Sequence, residues 1–347
     1  MMKRLIILAL SILLIIGFAS MSGAAEKKEV VRIAYVPVMH FAPIYVAAAR
    51  GYFAEQGIDA QFTRVKSGTA CMAFLAEGKV SVGAIAVVAS AWNAFSKGMD
   101  IRIVASAGLK QEKNDPTMLV VRKDLWDSGK VKSAKDLKGM RVAMAGGPGG
   151  GGEYLVSKAL ESGGLSVMDV KMSKIGNPDM KAALQSKAID AALTGSPYAY
   201  DIIKQKYGVP LVKDMTPGAM TVVFVYSGKF AQERPAVAKK FMVALLKGSR
   251  ALQGDKFLDS ENMAAYMKYQ KASEEAIRKG RPMLYDPNLK VKMESLADIE
   301  RTHMKNGRLT YSTPIDKSKV ADPAFQQYAV SVLGQAKMIP PVTEATQ

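Results

Sequence analysis

The chain has 347 residues, with 48 lysines and arginines against 31 aspartates and glutamates and a formal net charge of +17. The basic residues are spread along the sequence without long runs or interleaved aromatic residues. They therefore predict a solvated basic surface and argue against a nucleic-acid-binding protein. One cysteine, Cys71, cannot form an internal disulfide, and together with only two histidines it offers no metal-ligand set. We expect Cys71 to be a small buried apolar residue, not a nucleophile.

The N-terminus has the layout of a secretory signal peptide. Lys3 and Arg4 precede an apolar run over residues 5–18, and small residues follow at 19–25. The apolar run is shorter than the roughly 20 residues that a membrane-spanning helix needs. We expect cleavage after Ala24 or Ala25, with an uncleaved anchor as the alternative, and no later segment is long and apolar enough to span a bilayer.

Residues 30–107 alternate between β-branched apolar runs and amphipathic stretches. The pattern predicts strands at 30–36, 59–64, 82–86 and 101–107, and helices at 43–56, 69–77 and 90–97. This strand–helix alternation is typical of a mainly parallel sheet covered by helices.

A second series of the same kind begins after residue 124. It predicts strands at 138–144, 170–175 and 189–193, and helices at 153–161, 178–187 and 197–205. Two β-rich segments, 117–122 and 221–226, flank this series and predict a double crossover that acts as a hinge. The length suits two lobes. The sequence from 235 onward is mostly helical in pattern, with long stretches around 237–252 and 260–279.

Several segments resemble a known family. Residues 43–59, and within them Gly51–Asp59 above all, look like the opening helix and second strand of the nitrate/sulfonate/taurine type of ABC-importer substrate-binding proteins. Further matching segments follow in order at 75–83, 98–102, 134–142 and 183–191. The resemblance covers the chain from Val30 to about Leu333.

The resemblance implies an α/β fold of the two-lobed periplasmic binding protein type (type II). In it, two mainly parallel sheets flanked by helices are joined by a double-strand hinge. The implied organisation is a signal peptide at 1–25, the first part of lobe 1 at 26–120, lobe 2 at 121–222, and a mostly helical return to lobe 1 at 223–347. The implied function is capture of a small anionic or aromatic solute by hinge closure and delivery to ABC permease and ATPase subunits. We expect a periplasmic, monomeric, non-enzymatic protein without a cofactor or metal.

Candidate ligand-binding residues follow from the fold class. In open α/β sheets, ligands bind beyond the carboxyl ends of the strands, at loops that lead into helices. This rule selects Met39, His40, Phe41, Ser67, Gly68, Thr69, Val88, Ser90, Ser106, Gly149, Gly150, Gly151, Glu153, Asn177, Thr194, Ser196 and Tyr198.

Three of these positions leave alternatives open. Ser67 and Thr69 open a helix, where they either hold an oxyanion or serve as an ordinary N-cap. His40 lies on a turn and either bonds a ligand or is buried. The other histidine, His303, lies in a charged helical stretch and is expected to be solvated.

The glycine run 147–152 formally satisfies G-x-G-x-x-G after a strand, with Asp169 further on. Any polyglycine meets that pattern, and no Lys-Ser/Thr follows as in a phosphate-binding P-loop. We interpret the run as backbone approach to a small ligand, with a flexible loop as the alternative. Two other functions remain open: an exported enzyme that uses the run for a cofactor, and a basic protein that binds anionic polymer or lipid.

Overall fold

A computed structural model describes residues 28–270 and 273–346, so the predicted signal peptide lies outside the described residues. The strands are β1 (Glu29–Tyr35), β2 (Ile58–Arg64), β3 (Val82–Ala86), β4 (Ile101–Ser106), β5 (Gly108–Leu109), β6 (Met118–Arg122), β7 (Arg141–Met144), β8 (Lys171–Lys174), β9 (Ala191–Thr194), β10 (Gly208–Val212), β11 (Val222–Ser227) and β12 (Leu284–Tyr285). The helices are α1 (Ala42–Ala49), α2 (Tyr52–Glu55), α3 (Gly68–Ala76), α4 (Ala89–Ser96), α5 (Lys123–Asp127), α6 (Gly151–Glu161), α7 (Met180–Gln185), α8 (Tyr198–Lys204), α9 (Gly228–Glu233), α10 (Pro235–Arg250), α11 (Ser260–Tyr269), α12 (Glu274–Lys279), α13 (Met293–Lys305) and α14 (Ala324–Leu333).

Two five-stranded sheets organise the molecule. The first has the order β2-β1-β3-β11-β4 and the second the order β10-β6-β9-β7-β8. Helices cover both sheets, and we call each sheet with its helices the first and the second lobe. The predicted fold class, a two-lobed α/β protein, is confirmed.

The prediction for the two β-rich crossover segments needs correction. They become β6 and β11, strands inside the second and the first sheet, and each runs antiparallel to both of its neighbours. The other strands of each sheet share one direction, so both sheets are mixed. The chain between the lobes consists of the short segments that precede β6 and β11. Local pattern predicts a buried strand but not its partners, because pairing depends on residues far away in sequence.

Helix boundaries differ from the predictions where the chain turns. The helix predicted over 43–56 is two helices, because Gly51 adopts a left-handed backbone (φ 73°) between α1 and α2. The long helical stretch predicted from residue 260 is likewise divided into α11 and α12. Strand β10, at the edge of the second sheet, was not predicted.

Helix α13 lies between the two lobes, and the apolar core and its flanking backbone bonds hold it there. One apolar cluster fills the space between the first sheet and α1, α10 and α11. A second covers the other face of that sheet and continues into the second lobe, with Leu296 and Ile299 of α13 among its members. Backbone bonds tie the flanks of α13 to the first lobe, since Ser106 N donates to Leu289 O (3.0 Å) and Ile103 N to Val320 O (2.8 Å). Helix α13 therefore belongs to the first lobe and packs against the second.

None of the helices in the described part of the chain combines the length and hydrophobicity required to cross a bilayer.

Candidate functional site

A cleft lies between the two lobes, at the carboxyl ends of the strands of both sheets. Its empty volume is about 890 Å³, including space open to solvent. Twelve of the seventeen predicted residues line it: His40, Phe41, Ser67, Gly68, Thr69, Val88, Gly150, Gly151, Asn177, Thr194, Ser196 and Tyr198.

Five predicted residues lie outside the lining. Met39 is buried, and its sulfur accepts a hydrogen bond from Gln270 Nε2 (2.5 Å). Ser106, the last residue of β4, is fully buried, and Ser90, in the first turn of α4, is absent from the lining. The strand-end rule selects the right segments, but successive side chains of a strand or turn point in different directions.

The other two residues outside the lining, Gly149 and Glu153, form an internal hydrogen bond. The Glu153 carboxylate accepts a hydrogen bond from Gly149 N–H. It also accepts from Arg308 Nε, which lies 2.9 Å from Oε1 and 3.1 Å from Oε2. Asn306 Nδ2 also donates to it, at 3.0 Å. With no exposed surface and all these donors from the protein, Glu153 is a structural carboxylate at the start of α6.

The glycine run is closely packed rather than flexible. Gly147 and Gly149 have left-handed backbones, with φ of 67° and 73°. A Cβ on Gly152 would stand 2.9 Å from Met144 Cβ, and one on Gly151 would stand 2.1 Å from Ala86 Cβ of the first lobe. The run therefore brings the second lobe's backbone against the first lobe, while Gly150 and Gly151 still line the cleft.

Two hydroxyl groups on the cleft wall differ in their partners. Ser67 is the N-cap of α3, and its Oγ accepts from Ala70 N (3.3 Å), so its N-cap role is confirmed. Thr194, at the end of β9, is buried, and its Oγ1 has no hydrogen-bond partner among the described residues. A buried hydroxyl without a partner is costly, so Thr194 has a hydrogen bond available for a solute.

The described lining contains two lysines, Lys66 and Lys110, and neither aspartate nor glutamate. Lys110 is only 2% exposed. Its Nζ donates to Thr117 Oγ1 (2.6 Å) and lies 3.5 Å from Asp115 Oδ1. Burial lowers the pKa of Lys110, and Asp115 opposes that shift. The strand-end rule did not select Lys110, because it lies in the segment that crosses between the lobes.

His40 lines the cleft beside Lys110. Burial, and secondarily the charge of Lys110, hold the pKa of His40 well below its usual value. The imidazole is therefore neutral at neutral pH, and it can donate one hydrogen bond and accept another. It contributes polarity to the cleft without charge.

The prediction that His303 is solvated is wrong. His303 lies on α13 between the lobes and has no exposed surface. Its Nε2 is 3.4 Å from Val87 O. Burial lowers its pKa, and Glu153 partly opposes the shift. Its charged neighbours Arg301 and Lys305 remain exposed, so α13 buries the face that carries His303 while its other face stays in solvent.

One face of α6 meets α13 through polar contacts between the lobes. Tyr154 Oη donates to Asp298 (2.7 Å), and Lys158 Nζ lies 3.1 Å from the same carboxylate. Lys305 Nζ lies 2.8 Å from Glu161. Along with Glu153, these residues make α6 a helix through which the second lobe contacts the first. No group of three or more metal-ligating side chains occurs within 28–270 and 273–346.

Comparisons with known proteins agree with this architecture. A sequence model of the NMT1-like family matches residues 24–268. Riboflavin-binding protein RibY of Chloroflexus aurantiacus is 28% identical over 223 residues. The matched part spans 62% of this chain and 60% of RibY, so the chain spans less than two thirds of that relative's length.

Solved structures with the same fold include proteins of more than one activity. The periplasmic nitrate-binding protein NrtA from Synechocystis PCC 6803 has a TM-score of 0.72 at 16% identity, covering 89% of this chain and 90% of NrtA. The periplasmic aliphatic sulphonate binding protein SsuA from Escherichia coli has a TM-score of 0.66 at 17% identity, covering 84% and 97%. The desulfurization enzyme DSZB has a TM-score of 0.65 at 14% identity, covering 88% and 100%.

At these identities the solved structures show the fold alone. The family match covers the first lobe's opening strands, the whole second lobe and the chain as far as α11. With the nitrate- and sulphonate-binding neighbours, it confirms the family resemblance that the sequence segments indicate. The chain belongs to the NMT1-like family.

Proposed function

We propose that the protein binds a small anionic or aromatic solute in the cleft, closes on it by a hinge motion, and delivers it to ABC permease and ATPase subunits. It acts as an exported, periplasmic monomer. The observation that carries the proposal is the cleft itself, which lies between two lobes and contains buried Lys110 without any carboxylate in its described lining.

The charge arrangement supports an anionic group on the solute. A buried ammonium is stable only with close partners, and Asp115 stands 3.5 Å from the Lys110 Nζ, at the limit of a hydrogen bond. A solute anion would bring a second negative charge to this ammonium. The start of α6 at Gly151 adds a favourable potential for negative charge, part of which the Glu153 carboxylate in the same turn already uses.

The remaining wall supports an apolar or planar body on the solute. Phe41, Tyr198, Leu155 and Leu193 line the cleft. The name of RibY states that this relative binds riboflavin, a planar compound, and the titles of NrtA and SsuA state nitrate and sulphonate binding. These statements define the solutes to test here.

An enzymatic function has less support. DSZB has the same fold and is an enzyme, but the cysteine of this chain does not line the cleft. Cys71 is buried on α3, and burial raises the pKa of its thiol to about 12. The glycine run, the proposed cofactor site of the alternative, is occupied on one side by Ala86 of the first lobe.

For the chain's organisation we propose lobe 1 at 26–120 and 223–347 and lobe 2 at 121–222, except that β6 belongs wholly to lobe 2 and β11 wholly to lobe 1, as their sheets require. The backbone bonds of Leu289 and Val320 to the first sheet support the return of the C-terminal third to lobe 1. The two short segments that precede β6 and β11 then form the hinge.

The test begins with denaturation and refolding, which removes any solute that co-purifies. Thermal unfolding is then measured against nitrate, ethanesulfonate, benzoate, riboflavin and a pyrimidine. A solute at about 100 times its Kd stabilises the folded state by roughly 2.7 kcal/mol. We expect one class to raise the melting temperature and reduce the radius of gyration in small-angle scattering. Stabilisation without any change in lobe separation would contradict hinge closure, and turnover of a bound solute would favour the enzyme.

A further inference from the structure

The two lobes touch where the glycine run meets the loop after β3. Gly151, the first residue of α6, faces Ala86, the last residue of β3, and both line the cleft. A Cβ added to Gly151 would stand 2.1 Å from Ala86 Cβ, well inside the 3.5–4.0 Å at which carbon atoms make ordinary contact. Only glycine permits this approach.

A hydrogen bond across the lobes accompanies the contact. Ala89 N, at the first turn of α4, donates to Gly149 O at 2.9 Å. Gly149 is itself held by the Glu153 carboxylate, which accepts from its N–H. The glycine run is thus fixed within its own lobe and hydrogen-bonded to the other lobe. Both bonds indicate that the lobes meet at this point in a specific contact.

We propose that Gly151 and Ala86 set how closely the lobes approach, and thereby the width of the cleft available to a solute. The pair determines specificity by size, because a side chain at either position that is one methyl larger holds the walls apart. This inference rests on the proposed function, capture by closure of the two lobes.

The effect of one methyl group follows from the distances. In Gly151→Ala the two Cβ atoms must move apart by roughly 1.5 Å to reach ordinary contact. The same displacement would take the Ala89–Gly149 hydrogen bond from 2.9 Å beyond bonding range. Gly151 is helical with a negative φ, so alanine causes no backbone strain there. If the Ala86 methyl is also removed, the first-lobe atom nearest to the new Cβ at position 151 is the Cα of residue 86, at 3.5 Å.

Amide hydrogen exchange of the full chain tests this directly, because the Ala89 amide reports the bond between the lobes. We expect Gly151→Ala to accelerate exchange at Ala89 roughly tenfold, the loss expected for one such bond. The double variant Ala86→Gly/Gly151→Ala should recover the wild-type rate. The Ala91 amide, which donates to Val88 O within the same segment (3.0 Å), should stay unchanged in every variant.

Gly176→Ala is the matched control. Gly176 lies in the second lobe with a φ of −69°, and a Cβ there meets its nearest atom at 3.5 Å. This variant should exchange like the wild type at Ala89.

Several results would overturn the inference. An Ala89 amide that is unprotected in the wild type both without solute and with a solute that raises the melting temperature, or that is equally protected in Gly151→Ala, contradicts contact at this pair. Fast exchange at Ala89 in the double variant Ala86→Gly/Gly151→Ala also contradicts the inference. That conclusion holds whether or not Gly151→Ala lowers protection at Ala91. Exchange is measured without solute and again with any solute that raises the melting temperature. The lack of slow Ala89 exchange in both states contradicts the pair, and failure of every solute in the thermal panel contradicts the proposed function separately.

Discussion

Substituting Glu153 by glutamine should destabilise the protein far more than its position next to a glycine run suggests. Glu153 has no exposed surface, and its two oxygens accept from Gly149 N–H, Asn306 Nδ2 and Arg308 Nε. Glutamine keeps the shape but replaces one acceptor by an NH₂ donor. At least one of these N–H donors would then face another donor.

The magnitude follows from the contacts. A hydrogen bond to a charged group contributes about 1.5–3 kcal/mol, and a carboxylate in the first turn of a helix adds about 0.3–1 kcal/mol. Breaking a fully buried pair costs about 3–5 kcal/mol, but the Arg308 side chain is 25% exposed, and water compensates part of its loss. We expect Glu153→Gln to lower the free energy of unfolding by about 3 kcal/mol.

Urea unfolding followed by circular dichroism measures this difference, and the chain offers a matched control. Arg278 Nε lies 2.7 Å from Glu274 Oε1, a contact between the same types of atom at a similar distance, but both side chains are well exposed. Glu274→Gln should therefore change the free energy of unfolding by less than about 0.5 kcal/mol.

The reasoning would be refuted if the two variants lost equal stability, or if Glu153→Gln lost less than about 1 kcal/mol. A second check separates the ion pair from the helix start. Arg308→Gln removes only the cation, and a double-mutant cycle of the two should show a coupling of about 1 kcal/mol or more. Additive losses would mean that Glu153 acts through Gly149 and Asn306 alone.

Three further predictions concern charged and reactive groups. Lys110→Met should weaken binding of an anionic solute at least about tenfold and leave a neutral one nearly unaffected; equal calorimetric affinities for the anion would contradict its role. The lowered pKa values of His40 and His303 mean that the unfolded state binds more protons below pH about 6.5. The urea midpoint should therefore fall as pH drops from 6.5 toward the folded-state pKa values, and less steeply in His40→Gln/His303→Gln; a flat profile in the wild type would argue against buried neutral imidazoles. Cys71, whose pKa is raised to about 12, should resist thiol reagents at pH 8 until the protein unfolds, so labelling of the native protein at the rate of a free thiol would be the opposite result.

The sequence predicts local elements well where a short apolar run has turn residues at both ends. Strand β3 was predicted with its observed bounds, and β1 and β2 within one residue. The cleft was predicted to the extent that it depends on strand ends, as at Ser67 and Thr194. These features follow from local pattern and one geometric rule.

Features that depend on distant partners were not predictable. Nothing near Glu153 indicates Arg308, 155 residues later, so its carboxylate was assigned to a ligand. His303 lies among charged residues, and only the packing of α13 between two lobes buries it. The insertion of β6 and β11 antiparallel into separate sheets likewise depends on pairings that local sequence does not encode.

The glycine run shows why a motif can match in form and still point to the wrong partner. A G-x-G-x-x-G pattern indicates positions where a side chain is not tolerated. It does not indicate which group lies in the space that the side chain would otherwise fill. In a dinucleotide site that occupant is a pyrophosphate. Here, Gly151 is opposed by Ala86 of the same chain, and Gly149 accepts a bond from Ala89. Without side chains, the glycine run could approach a cofactor closely, and here it approaches the other lobe instead. The contact between Gly151 and Ala86 then sets the width of the neighbouring cleft.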